Sequence, residues 1–345
     1  MSNIQINPYN FAAPAGLGSW KELDRTTLPS SNNSILVSGL SNKMYYMILC
    51  DIQQVTSNIR SSTRLNADTG SNYATRSSEN GGADSPAPNG SYIKNSGSLV
   101  SPMFNVQYLS NISSKEKLML NHNVGQSTAG AGNAPVRMES VGKWANTSSV
   151  ITSIEQYNDQ GGSYDTGSEV VVLGYDPTDT HTDTDNFWQE LSSTTLAVAA
   201  TNFSSGTILA KKYLWVQVSI PSPNHNFNLQ FNGDTGNNYA KRRSENGGTD
   251  TTSINQDRMT LGSYGSTDSD FYNIFIINNL ANEKLAITEN VNRNTSGAGN
   301  SPNRSEYVSK WTNTSAQITT IDVLQQSGGA GSFGIGTIMK VWGHD

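Results

Sequence analysis

The chain has 345 residues and one cysteine, and its 22 Lys and Arg stand against 28 Asp and Glu for a formal net charge of -6. Only 14% of residues are charged and 34% hydrophobic, while Ser, Thr and Asn together make up roughly a third, a balance that favours turns and short strands over long helices. The acidic balance argues against a nucleic-acid partner, the apolar stretches at 44–50 and 274–277 are far shorter than a membrane-spanning helix, and the lone Cys50 excludes an intrachain disulfide or a Cys-x-x-Cys pair.

In chain order, residues 1–17 read as an N-terminal arm without the basic-then-apolar layout of a signal peptide, which implies folding in a cytoplasm. Residues 18–176 form a first unit and 186–345 a second, joined by an acidic linker at 177–185 that contains His181. The assignment rests on self-similarity. The segment from Asn66 to Asp84 returns as Asn232 to Asp250 with fourteen of nineteen positions identical. Gly130-Ala131-Gly132-Asn133 returns as Gly297-Ala298-Gly299-Asn300, and Lys143-Trp144 with the following Asn146-Thr147-Ser148 returns as Lys310-Trp311 with Asn313-Thr314-Ser315. Weaker matches join Trp20 to Trp188 and Gly174 to Gly343. A period of this length is a whole domain rather than a solenoid repeat.

Within each unit apolar residues alternate over short windows, as at Met103–Tyr108, Tyr213–Val218 and Phe227–Phe231, and Gly-rich turns separate the windows. The pattern predicts an all-β protein: two tandem homologous β-sandwiches, jelly-roll-like, with about eight strands each.

The repeated Asp-Thr-Gly-x-Asn-Tyr motif supplies the candidate contact or turn residues Asp68, Asn72, Tyr73 and Arg76, with Asp234, Asn238, Tyr239 and Arg242 in the second copy. Asp and Gly there suit an Asx-turn, with the Tyr returning the chain to the core. The same side chains could instead meet a sugar or a neighbouring subunit. A calcium loop lacks its alternating acidic ligands and terminal Glu, and an aspartic-protease reading fails on the polar residues that follow each Asp. Arg76 with Glu79, and Arg242 with Glu245, have the spacing of an ion pair that pins the loop. Trp144 and Trp311 read as core indoles with a partner for the N–H, with sugar stacking as the alternative. No histidine recurs between the copies, so no repeated catalytic triad, metal triplet or cofactor site can be assembled, and the chain reads as a non-enzyme.

Taken together, Asn232 to Tyr239, Trp311 to Thr314, Ile318 to Ile321 and Val341-Trp342-Gly343 resemble a domain common in bacteriophage virion proteins; the first unit departs at Ala67, where that domain has Gly. The resemblance implies a virion structural protein of tail, fibre or capsid-decoration type, homo-oligomeric and in contact with other virion proteins, assembled in the host cytoplasm without a cofactor. A carbohydrate-binding module for a host-surface glycan and a double jelly-roll capsid protein are the alternatives.

Overall fold

A computed structural model describes residues 19–53, 57–179, 185–221, 227–262, 269–293, 296–325 and 331–345. The expected arm at 1–17 and His181 lie outside the described residues. The first half contributes β1 (Lys21–Thr27), β2 (Ser34–Ser38), β3 (Tyr45–Ile52), β4 (Ser62–Leu65), β5 (Tyr73–Glu79), β6 (Ser85–Gly90), β7 (Ile93–Lys94), β8 (Met103–Ser110), β9 (Lys117–Gly125), β10 (Val136–Trp144), β11 (Ser153–Tyr157) and β12 (Glu169–Tyr175). The second contributes β13 (Gln189–Thr195), β14 (Asn202–Ser204), β15 (Tyr213–Ile220), β16 (Asn228–Phe231), β17 (Tyr239–Glu245), β18 (Thr251–Gln256), β19 (Met259–Thr260), β20 (Asp270–Ile277), β21 (Lys284–Asn292), β22 (Asn303–Trp311), β23 (Ile321–Leu324) and β24 (Ile338–His344).

Each half builds an eight-stranded antiparallel sheet, in the order β1-β12-β3-β8-β9-β10-β5-β6 or β13-β24-β15-β20-β21-β22-β17-β18. A four-stranded sheet, β2-β11-β4-β7 or β14-β23-β16-β19, covers one face of it. The protein is all-β and forms two similar sandwiches. The described residues hold twelve strands per unit, rather than about eight, because short and edge elements carry no apolar alternation. β7 and β19 are two residues long, and β6, the exposed Ser-Pro-Ala-Pro-Asn-Gly segment, is an edge strand whose prolines blunt further pairing. Asn80 and Gly81, both at positive φ (51 and 73), make the tight turn between β5 and β6, as Asn246 and Gly247 do between β17 and β18. Ala67 adopts φ 54 where the second unit has Gly233 at φ 65, so the departure from Gly leaves the turn unchanged in hand.

Each large sheet is covered by its small sheet on one face and in part by the other large sheet on the second. In β3, Tyr46, Ile48, Cys50 and Ile52 enter the core of the first sandwich, while Met47 and Leu49 point the other way into a third apolar cluster. That cluster joins Phe104, Val106, Val124, Val171 and Leu173 of the first unit to Tyr213, Phe275, Leu285, Ile287 and Val308 of the second. The large sheets therefore pack face to face across a seam.

Both sandwich interiors are mainly apolar, but one set of equivalent positions differs in chemistry. In the first, Gln156 donates to Thr63 (2.9 Å), Asn95 donates to the same hydroxyl (2.7 Å), and Gln107 and Ser61 complete a buried polar network. The corresponding positions in the second hold Val323, Leu229, Leu261, Ile274 and Phe227, and Phe227 stacks on Tyr272 with centroids 4.0 Å apart. A largely hydrogen-bonded amide network and an apolar cluster fit the same backbone, although the Asn95 Oδ1 in the first is left without a partner.

Candidate functional site

Six of the eight motif residues form an internal clasp that is nearly superposable in the two units. The Asp68 carboxylate accepts from Gly70 N–H (2.8 Å), Asn72 Nδ2 (2.9 Å) and Trp144 Nε1 (2.7 Å). Asp234 accepts from Gly236 N–H (2.8 Å), Asn238 Nδ2 (2.9 Å) and Trp311 Nε1 (2.6 Å). Tyr73 is buried, accepts Leu65 N–H at 3.0 Å and donates to the Asp68 carbonyl at 3.2 Å; Tyr239 does the same with Phe231 and Asp234. Each tyrosine ring stacks on its tryptophan at 6.3 Å and 16°. Burial pushes the Tyr73 hydroxyl up to about 12, so it stays protonated as a donor. These carboxylates and rings are occupied by their own fold.

Burial alone would raise the Asp68 and Asp234 carboxyls, but the indole, amide and backbone N–H bonds outweigh it and hold both below the ordinary carboxylate range. A depressed folded value stabilises the native state above the unfolded value near pH 4, and the stabilisation is lost as pH falls through the folded value. The expected result is a loss of thermal stability on acidification below about pH 4 that is smaller in Asp68→Asn/Asp234→Asn. Thermal melts between pH 5 and 3 check this, and an equal acid slope in both proteins would refute it.

The arginines belong elsewhere. Arg76 lies 3.8 Å from Asp84, and Arg242 donates from Nε to the Pro135 carbonyl at 2.9 Å. The expected pairs with Glu79 and Glu245 are not formed. Residues three apart on a strand point to opposite faces, so Arg76 and Glu79 on β5, and Arg242 and Glu245 on β17, diverge; Arg243, two from Glu245, makes the ion pair instead, at 2.7 Å. Trp144 and Trp311 are the last residues of β10 and β22, buried as core indoles.

Arg242 leads to the seam, where unit two projects polar side chains onto one end of the first unit's large sheet. Arg137, 5% exposed, holds Asp250 with two guanidinium N–H bonds (2.7 and 3.2 Å) and Glu306 at 3.2 Å. Lys310 reaches the carbonyls of Thr128 (2.7 Å) and Gln126 (3.2 Å), Glu283 accepts Gly130 N–H at 2.5 Å, and Asn255 N–H bonds the Ala131 carbonyl at 2.8 Å. At the sheet's far side Lys212 lies 3.0 Å from both Asp51 and Glu169. The Gly130-Ala131 loop, seen in the sequence only as part of a repeat, is thus a socket. Arg137, Glu283, Glu306 and Lys310 carried no motif of their own; their signal was identity between copies at positions that no turn or core requires.

The other end of the same sheet face in unit one is open. Leu118, Leu120 and Val141 are 56%, 53% and 47% exposed, whereas their counterparts Leu285, Ile287 and Val308 are 2%, 5% and 2% exposed within the seam. With Trp20, Tyr45, Tyr108 and Tyr175 they line a groove of about 940 Å³. Single exposed leucines need no account, but here several apolar side chains are contiguous along one groove.

Fold and surface together define a double β-sandwich protein with an open apolar groove on one unit. No family model matches the chain, and no curated protein matches it. Among solved structures, human GIVD cytosolic phospholipase A2 in complex with methyl gamma-linolenyl fluorophosphonate aligns at 7% identity and a TM-score of 0.11 over 79% of this chain, which spans 33% of that chain. At that score the two folds are not equated. Among the described residues no group of three His, Cys, Asp or Glu is placed to hold a metal ion.

Proposed function

We propose that the protein is a non-enzymatic structural component of a bacteriophage particle, of tail, fibre or capsid-decoration type, that assembles with copies of itself and with other virion proteins. The observation that carries the reading is the open apolar face of unit one, whose counterpart in unit two is already spent on a protein contact. A surface built twice by duplication and buried once is that of a subunit, and closed or repeating assemblies use such faces. The resemblance of Asn232 to Tyr239 and Trp311 to Thr314 to a domain of bacteriophage virion proteins supports the class, and the clasps these residues form bind their own fold together.

Imaging native particles by cryo-electron microscopy, with mass spectrometry of the same preparation, tests it. Multiple ordered copies on the shell or tail are expected; absence of the chain from purified particles would sink the reading.

A further inference from the structure

We infer that the open face of unit one receives the far end of unit two from a second copy of this chain, in a head-to-tail contact that repeats the intrachain seam. The inference rests on the subunit reading above and names its partner.

The seam is heterologous. Unit two presents one end of its large sheet, and unit one receives it on the opposite end of its own. The presenting end of unit one and the receiving end of unit two are therefore both left over. On the presenting side much of the seam's charge pattern is retained, with Asp84 for Asp250, Glu139 for Glu306, Lys143 for Lys310, Glu116 for Glu283 and Arg76 for Arg242 around Leu118, Leu120 and Val141. Ile112 and Lys115, by contrast, stand for Asn279 and Asn282, which bond Asp51 and Gln53. On the receiving side Arg304 stands for Arg137, Pro302 for Pro135, and Gly297-Ala298 for the Gly130-Ala131 socket. These receiving positions are exposed in unit two, as are Phe271 (42%) and Val291 (44%), which stand for the buried Phe104 and Val124. The Asp84 and Arg304 side chains, whose counterparts form the closest ion pair of the seam, are 59% and 62% exposed.

On the receiving side Gln217, Asn273 and Lys340 stand for the seam residues Leu49, Val106 and Val171, whereas at the charged edge of the seam the two ends depart together. Lys212 faces Asp51 and Glu169 in the seam. The corresponding presenting residue is Met44, and the corresponding receiving residues are Ser219 and Ile338, so the cation and both carboxylates are missing at once. A copy docked in the same geometry thus strands no charge of that cluster, which a buried interface does not tolerate. A heterologous contact of this kind closes into a ring or runs as a filament according to its rotation.

Sedimentation of the purified full-length chain across concentration tests the contact. Oligomers that grow with concentration are expected. Asp84→Arg or Arg304→Asp alone should weaken association by about 100-fold, as like charges placed face to face cost several kcal/mol. The double variant Asp84→Arg/Arg304→Asp should restore it, and circular dichroism should show all three folded, since both side chains are exposed. A chain that stays monomeric throughout overturns the inference, and so do oligomers indifferent to both swaps. The two proposals fail separately: particles in which the groove holds a different protein or a glycan leave the subunit reading standing, whereas self-association of a chain absent from particles removes that reading and keeps this one.

Discussion

Arg137→Ala is expected to cost about 3–5 kcal/mol, the magnitude for removing one partner of a buried ion pair. The guanidinium is 5% exposed and its fork fits Asp250, whose side chain is 1% exposed, while one arm also reaches Glu306. Truncation leaves two carboxylates from unit two facing a dry cavity and the neighbouring Glu139. Arg137→Lys keeps the charge but not the two-point geometry, and an intermediate loss is expected. Because the partners lie on different units, the deficit falls on the seam. Calorimetry should show the wild-type transition splitting as the units lose their mutual support, with the lower one shifted down by about 10 °C for a domain of this size. Arg137→Ala/Asp250→Ala should cost less than the sum of the single changes, since it strands no charge. Strict additivity would mean that the pair is not coupled and that the apolar cluster alone holds the seam.

The division between what the sequence disclosed and what it withheld follows the physical origin of each signal. Alternation at Tyr213–Val218 and Phe227–Phe231 is imposed by the pleat, and it located β15 and β16 because each has a fully buried face. The duplicated Asp-Thr-Gly-x-Asn-Tyr turn was legible because its chemistry is local: donors at 70 and 72 lie within reach of the Asp68 carboxylate. The partner of that carboxylate from β10, Trp144, is 76 residues away, and no spacing rule connects them. Edge strand β6 was invisible because its pairing uses backbone groups and its side chains face solvent. The seam was the least legible feature. Its residues are ordinary strand positions whose burial depends on how two folded units meet, and Leu118 and Leu285 are the same residue type with opposite fates. Comparison between copies exposes the difference once the strands are placed, because a leucine at the same register in both shows which face is occupied in only one. The Arg76–Glu79 pairing went astray for the opposite reason: a three-residue spacing joins side chains on a helix but separates them on a strand.

The second large effect is expected at the clasp. Trp311 is fully buried, donates to Asp234 at 2.6 Å, stacks on Tyr239 and meets Phe231 edge-on at 5.7 Å. Trp311→Ala should destabilise by about 3–5 kcal/mol through lost apolar contact and a cavity that the β17 and β22 backbones are too constrained to fill. Trp311→Phe separates two contributions: it keeps most of the ring packing and removes only the N–H, so a smaller loss of about 1–3 kcal/mol is expected from the carboxylate deprived of a donor. Asp234→Asn in that background should then cost little further, because an amide oxygen without the indole donor is less demanding than a carboxylate. Trp144→Phe provides the internal control, since its indole makes the equivalent bond at 2.7 Å and the same 16° stacking in a sandwich whose apolar core also encloses a polar network. Similar losses from the two Phe substitutions, measured by denaturant unfolding, would show that the clasp acts independently of the core beneath it. If Trp311→Ala instead left unfolding unchanged and abolished attachment to a glycan or partner, the clasp would be a recognition surface, and the assignment of its six residues to the fold would have to be withdrawn.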